Sequence, residues 1–285
     1  MPAPDLIRVI SLGSGPSLSQ WVFTLMSISQ FQKDGFLIHP DPVLPTDIVD
    51  RAVDGMDAIR SGEYDRGQPP DKSPWNPGDS VDTLCKIENP HRASQGVFDL
   101  VSHAEIGKRA AEATGAEWLQ VWWVQLLYKP PGAKTQNTRI NIGWHQDRNY
   151  WKSWEEGSQL LTAWVAVSDV LEDCGPMRFV TGSNHWGLLE GSDFHGGDLD
   201  AVKEGLELPD GVDWTEQTGL MSAGGLSLHD CYTLHGSGEN RSDRPRRSFA
   251  IHLRTQNSRP VDGLRKGLTR YIDDESLCPV IYTRG

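Results

Sequence analysis

With 285 residues, 37% of them hydrophobic and 23% charged, the chain has enough apolar material for a buried core and too little bias for a disordered or collagen-like polymer. A formal net charge of −12 argues against nucleic acid as the main partner, since phosphate binding needs a basic face. No apolar run approaches the roughly 20 residues of a membrane helix, so no membrane partner is expected.

Residues 1–25 are punctuated by Gly, Ser and Pro, show no sustained period and lack the plan of a secretory signal. They are expected to form a loose leader, with a single domain over 26–285 that starts near Met26. The segment Thr46–Arg60 has apolar residues at helical spacing (Ile48, Val49, Ala52, Val53, Met56, Ile59), with Thr46 or Asp47 as its cap. Residues 61–80 read as a long loop. A second helix is expected over Ser102–Thr114, capped by Ser102 with Glu105 three residues on and stopped by Gly115.

From Leu119 the period changes to that of strands: Leu119–Tyr128, Leu160–Val167, Met177–Thr181, Gly225–Leu228 and Ser248–Leu253, separated by Gly, Pro and Asn. Helices first and short strands afterwards predict an α+β, mainly β protein whose C-terminal two thirds is a sandwich or barrel. Eleven Trp residues suit such a fold and an aromatic-lined pocket. Four scattered cysteines (Cys85, Cys174, Cys231, Cys278) form no CxxC pair and read as free thiols in a reducing compartment, hence a cytoplasmic placement.

Chemistry concentrates in Gly143-Trp144-His145-Gln146-Asp147. If the run is a strand, His145 and Asp147 share a face while Gln146 points away. Two ligands hold a divalent ion poorly, and a third is expected about 90 residues on, in Leu228–Asn240, which holds His229 and His235. Two His and one carboxylate on one face of an ion form the facial triad of non-haem Fe(II) oxygenases. Arg246 or Arg247, farther on, would supply a planar fork for a carboxylate. Phe249, Ile251 and Leu253 share the parity of Arg247 and mark an apolar face, which favours Arg246. A zinc hydrolase built on H-x-D…H would explain the three ligands but not the arginine.

The order HxD, distant His-Gly-Ser, then Arg eleven residues beyond the His resembles the phytanoyl-CoA dioxygenase family of Fe(II)- and 2-oxoglutarate-dependent oxygenases. The resemblance runs from about Ile28 to His252. It takes in Asp34-Gly35-Phe36, Lys86-Ile87, Gln125–Gly132, Thr162-Ala163-Trp164, Gly175-Pro176-Met177 and Gly182-Ser183-Asn184-His185. Cys174 stands where the family usually has Asn, and Asn184 is inserted before His185. The resemblance implies a double-stranded β-helix (a cupin-like jelly roll) with supporting N-terminal helices. It implies Fe(II) on His145, Asp147 and His235, with 2-oxoglutarate and O2 as cosubstrates. Arg246 and Ser237 would meet the far carboxylate of 2-oxoglutarate, and Trp164, Gln125 and Lys86 would approach the same molecule. His235 is preferred over His229 by its His-Gly-Ser context.

The reaction implied is hydroxylation of an unactivated C–H bond of a small organic metabolite, with succinate and CO2 as co-products. Asp147 matters here, because halogenating relatives lack that carboxylate. Tyr150, Trp151 and Trp154, just after Asp147, are candidates for an apolar substrate pocket, against ordinary packing. A phytanoyl-type acyl-CoA hydroxylase is the alternative, weakened by the acidic balance. A non-catalytic metal-binding jelly roll is another, weakened because every expected ligand is present.

Overall fold

A computed structural model describes residues 18–132 and 141–285. Its strands form two antiparallel sheets. The large sheet runs β1 (Phe36–His39), β8 (Leu226–Asp230), β5 (Leu160–Ala166), β10 (Arg246–Thr255), β3 (Trp118–Lys129) and β11 (Val280–Thr283), with β2 (Cys85–Glu88) also on β3. The small sheet has the order β4 (Ile142–His145), β9 (His235–Ser237), β6 (Met177–Val180) and β7 (Glu216–Gly219). All five strands foreseen from the sequence are present, shifted by at most two residues at an end.

Alternation decides what each face of the large sheet meets. Leu161, Ala163 and Val165 of β5, Leu226 and Leu228 of β8, and Phe249, Ile251 and Leu253 of β10 point to one side. There they pack on the apolar stripes of α2 (Thr46–Ser61), α3 (Gln95–Val101) and α4 (Ala104–Thr114), for example Val49, Ala52, Met56 and Ile59 of α2. The opposite face carries Trp164, Ala166 and Ala250, which meet Ile142, Met177 and Phe179 of the small sheet. The strands therefore bury both faces, and the polar residues of the inner face (Thr162, Ser227, His229, Arg246, Ser248, His252) are buried too.

The helix α1 (Leu18–Asp34) passes through Met26, and residues 1–17 of the expected leader lie outside the described residues. Three local expectations are corrected. Pro45, not Thr46 or Asp47, is the N-cap of α2, without a side-chain hydrogen bond. Ser102 closes the short helix α3, which the sequence reading missed, and the cap of α4 is His103, whose Nδ1 accepts from the Glu105 amide at 3.3 Å. A ring nitrogen thus does the work expected of a hydroxyl. Finally β4 ends at His145, and Asp147 opens a 3-10 turn (Asp147–Asn149), so the two do not share a strand face.

Candidate active site

His145 and His235 face each other across the β4–β9 ladder as direct register partners. Each imidazole is fixed by its own backbone: Nδ1–H of His145 donates to the Gly143 carbonyl (2.8 Å) and that of His235 to the Thr233 carbonyl (2.9 Å). That commits Nδ1 as donor and leaves Nε2 with its lone pair free. Asp147, turned inward by the 3-10 turn, brings Oδ1 to 3.7 Å from His145 Nε2 and 3.9 Å from His235 Nε2. Donor atoms of the three residues lie within 4.8 Å of one another. Gln146 points away, donating to the Gly187 and Tyr232 carbonyls (both 2.7 Å) and accepting from the Leu189 amide (2.8 Å).

Protonation states match a metal site. Burial holds both His145 and His235 below the ordinary histidine range, so they stay neutral. Burial alone would raise Asp147, but the His229 ring beside it and the imidazoles of His235 and His252 outweigh that, and its carboxyl lies well below the usual range. Two neutral Nε2 donors and one carboxylate on one side of a cavity suit a divalent transition metal with positions left open for other ligands.

His229, the rival to His235, is buried behind the group, its Nε2 3.4 Å from Asp147 Oδ2 and its ring 4.3 Å from that of His235. Sequence reasoning missed one further partner of Asp147 and the residue behind it. Thr162 donates to Oδ2 at 2.7 Å, and its oxygen lies 2.9 Å from His252 Nδ1. The signal was there: Thr162 shares strand parity with Trp164, as His252 does with Arg246.

Arg246 and Arg247 separate as their parity predicts. Arg247 turns outward to Asp57 of α2 (3.1 Å), while Arg246 is wholly buried. Its Nη1 donates to the Gly175 carbonyl (2.7 Å) and lies 3.4 Å from Ser237 Oγ, and its guanidinium sits 5.2 Å from the Trp164 ring centre. Nε and Nη2 are buried without a partner among the described residues. Gly175 permits this contact: with φ of 66°, its backbone lies so close to the chain leaving β9 that a Cβ would stand 2.5 Å from the Gly238 oxygen. Such a cation with unused donors fits an anionic group from outside the chain.

The cavity beside the triad is lined by Gln125, Leu127, Ile142, Trp164, Met177, Phe194 and Ala250 as well as by the triad and its partners. Trp164 and Gln125 thus line the cavity beside the triad. Lys86 lines no described cavity: it pairs with Glu88 (3.5 Å) and sits over the Phe194 ring (4.2 Å), which in turn stands 4.9 Å from His145. An outer cavity shares Gln125 and His252 with the inner one, and Trp122, Trp123, Tyr150 and Trp151 form part of its wall. Trp154 is the exception among the aromatic candidates. It is buried against Trp122 (5.5 Å) and Arg254 (5.9 Å), lines neither cavity and belongs to the packing.

Two stacked antiparallel sheets with a His, Asp and His donor set between them define the class of non-haem iron oxygenases. The comparisons narrow that class. The sequence profile described as Phytanoyl-CoA dioxygenase (PhyH) matches residues 31–248. An ectoine dioxygenase from Halomonas elongata is 28% identical over 255 residues, covering 81% of this chain and 70% of the relative. A probable alpha-ketoglutarate-dependent hypophosphite dioxygenase from Stutzerimonas stutzeri is 27% identical over 202 residues, covering 70% of this chain and 66% of the relative. The matches thus span about two thirds of those relatives' own length. Among solved structures, the alpha ketoglutarate dependent carbocyclase SnoK of nogalamycin biosynthesis superposes with a TM-score of 0.66 at 23% identity, covering 90% of this chain and 95% of that one. The epimerase SnoN in complex with Fe3+ and alpha ketoglutarate gives 0.65 at 20% identity, covering 84% and 86%. The chain belongs to the phytanoyl-CoA dioxygenase family of Fe(II)- and 2-oxoglutarate-dependent oxygenases. No described helix is long and apolar enough to cross a membrane.

Proposed function

We propose that this protein couples decarboxylation of 2-oxoglutarate to hydroxylation of an unactivated C–H bond in a small organic metabolite. The observation that carries the reading is the pairing, between the two sheets, of a neutral His–carboxylate–neutral His donor set with a buried guanidinium that has two donor nitrogens unused among the described residues. His145, Asp147 and His235 would hold Fe(II), which when bound supplies the O2 chemistry that yields succinate, CO2 and the oxidised substrate.

The chain's own residues do the rest. The Gly143 and Thr233 carbonyls keep both imidazoles in the tautomer a metal needs. Arg246, with Ser237 beside it, would hold the distal carboxylate of 2-oxoglutarate, and the Trp164 ring flanks that guanidinium. Gln125 at the junction of the two cavities would orient the cosubstrate. Lys86, one layer out behind Phe194, would act on it through charge alone. Tyr150 and Trp151 would form one wall of the substrate pocket. Tyr150 is half exposed, and its hydroxyl accepts from the Phe194 amide at 2.9 Å, which ties the outer wall to the inner one.

For the fold, the path of the chain supports a double-stranded β-helix: from β3 to β10 the strands visit the sheets in the order large, small, large, small, small, large, small, large. Four buried free cysteines support a reducing, cytoplasmic setting.

Succinate release from 2-oxoglutarate under Fe(II) and O2 tests the function directly. The purified protein should release it, and His145→Ala should lower the rate by at least about a thousandfold, the scale of losing a group that acts only as part of a unit. Full activity in His145→Ala would sink the assignment.

A further inference from the structure

A line of hydrogen bonds leads away from the donor set and ends on the His252 ring. Thr162 gives its one hydrogen to Asp147 Oδ2, so its oxygen accepts from His252, and the His252 proton sits on Nδ1. Nε2 therefore keeps a bare lone pair. It has no partner among the described residues, although the residue is only 4% exposed. Trp122 and Trp151 flank the imidazole, with ring centres at 5.4 and 4.8 Å, and hold its plane. His252 and Gln125 are the two residues that the inner and outer cavities share. A fixed acceptor at that junction calls for a donor from outside the chain, because a buried polar group left unpaired is costly.

The outer cavity, of about 510 Å³, has the size of a small-molecule site. Its indole walls suit a flat or apolar body. Its charges do not balance. Asp71 is taken by Arg92 and Arg270, and Glu88 by Lys86 and by the Trp123 Nε1–H at 2.6 Å. The exposed Lys72 and Lys152, on the same wall, have no carboxylate within 4 Å among the described residues. In a chain of net charge −12, the mouth of this cavity thus carries unpaired positive charge, which draws anions to it.

We propose that the substrate is a small organic anion carrying an O–H or N–H donor: His252 Nε2 accepts that hydrogen beside the triad, and Lys72 and Lys152 meet the anionic end at the mouth. This rests on the cosubstrate reading of the site and names the class of molecule that the site oxidises. His252 then has two separable parts. Through Nδ1 it supports Thr162 and so Asp147, and through Nε2 it selects the substrate.

Anaerobic calorimetry on the protein loaded with Fe(II) and 2-oxoglutarate tests this with two matched sets of probes. One is 4-hydroxyphenylacetate with phenylacetate and 4-hydroxyphenylacetamide; the other is 4-hydroxycyclohexanecarboxylate with its deoxy and amide counterparts. In at least one set the hydroxy acid should bind roughly two- to tenfold tighter than either partner, the range for one hydrogen bond. Two replacements separate the parts of His252. His252→Asn sets an amide N–H where Nδ1–H was and reaches no farther, so it should hold Fe(II) as wild type does and lose the preference for the hydroxyl. His252→Gln carries its amide oxygen to the Nε2 position and should keep that preference. Lys72→Met with Lys152→Met should erase the preference for carboxylate over amide and leave 2-oxoglutarate affinity unchanged. Sets without binding or without preference, or a His252→Asn protein that still selects the hydroxyl, overturn the proposal alone. So does octanoyl-CoA binding tighter than every small acid. A protein that binds no 2-oxoglutarate overturns the functional reading, and the substrate class with it.

Discussion

Asp147 contributes Oδ1 to the triad, but its orientation is set at Oδ2, where Thr162 and His229 converge. A hydroxyl has one hydrogen, so Thr162 donating to the carboxylate must accept from His252, whose Nδ1 then carries the proton. Burial keeps His252 neutral, with its pKa pushed down to about 4. Thr162→Val retains the shape and removes this link, leaving a buried carboxylate oxygen and the His252 N–H short of a partner. Fe(II) affinity should fall by about ten- to hundredfold, as outer partners of ligands do, and Thr162→Ser should restore most of it. An anaerobic metal titration reads this without turnover; a valine variant within twofold of wild type would refute the orienting role. Thr162 and His252 were legible only as members of a strand face. The inward turn of Arg246 was legible, because the apolar residues that share the parity of Arg247 assign the two arginines to opposite faces.

Where strand periodicity broke, so did the reading. Between His252 and Leu253 the β10–β3 register shifts by one, so Trp122 is the extra residue on β3: Trp123 pairs with His252 and Val121 with Leu253. Leu119 and Val121 before the bulge and Val124 and Leu126 after it all reach the same core, although their parities differ. The bulge thereby places Trp122 and Trp123 together on the wall of the outer cavity. No alternation count shows this, since a run as apolar as Trp118–Tyr128, broken only by Gln120 and Gln125 at opposite parities, does not hold one phase. The helix α3 was lost for the related reason that its seven residues are too few to establish a period. Element contacts also reverse one rule of propensity. In α4, Gly107 packs so closely on β11 that a Cβ would stand 2.3 Å from the Ile281 oxygen and 2.9 Å from Tyr282 Cβ. Helix propensity alone predicts that Gly107→Ala stabilises by about 1 kcal/mol. Overpacking against backbone predicts a loss of about 1–3 kcal/mol instead. Thermal unfolding decides by sign: the variant should melt several degrees lower, with 2-oxoglutarate affinity unchanged because α4 is on the far side of the large sheet. A higher melting temperature would show that β11 can move away freely.

At the scale of the molecule, the chain between β11 and the site is closed by a clasp that no motif announced. Asp71, in the long loop before β2, pairs with Arg92 and with Arg270 (2.8 Å) and accepts from Tyr271 (3.2 Å). Gln120 of β3 donates to the Ile272 and Cys278 carbonyls (2.9 and 2.7 Å), and His91 Nε2 donates to the Leu277 carbonyl at 2.6 Å. Apart from Asp71 and Arg92, these partners lie some 150 to 200 residues apart, which is why sequence patterns, being local, carried the catalytic motifs and not the clasp. The clasp is also where acid should open the fold. Burial, opposed by the Leu277 carbonyl and reinforced by Arg66 and Arg92, pushes His91 down from 6.5 to about 4, and its Nδ1 is buried without a partner among the described residues. Unfolding restores the ordinary value, so between these two pH values the unfolded chain binds the extra proton. Stability is therefore fully present above about pH 6.5 and falls as pH drops toward 4, by about 3 kcal/mol for this one group. His91→Gln keeps the donor to Leu277 and removes the titration. Denaturant unfolding across pH 4 to 7 should show a shallower slope for the variant, the two curves separating most at the acid end. Comparing the two proteins at each pH cancels the acid loss common to both, including that of the metal ligands. Parallel curves would place the acid sensitivity elsewhere and leave His91 as a packed, non-titrating link between the Asn89–Ser94 turn and the C-terminal segment.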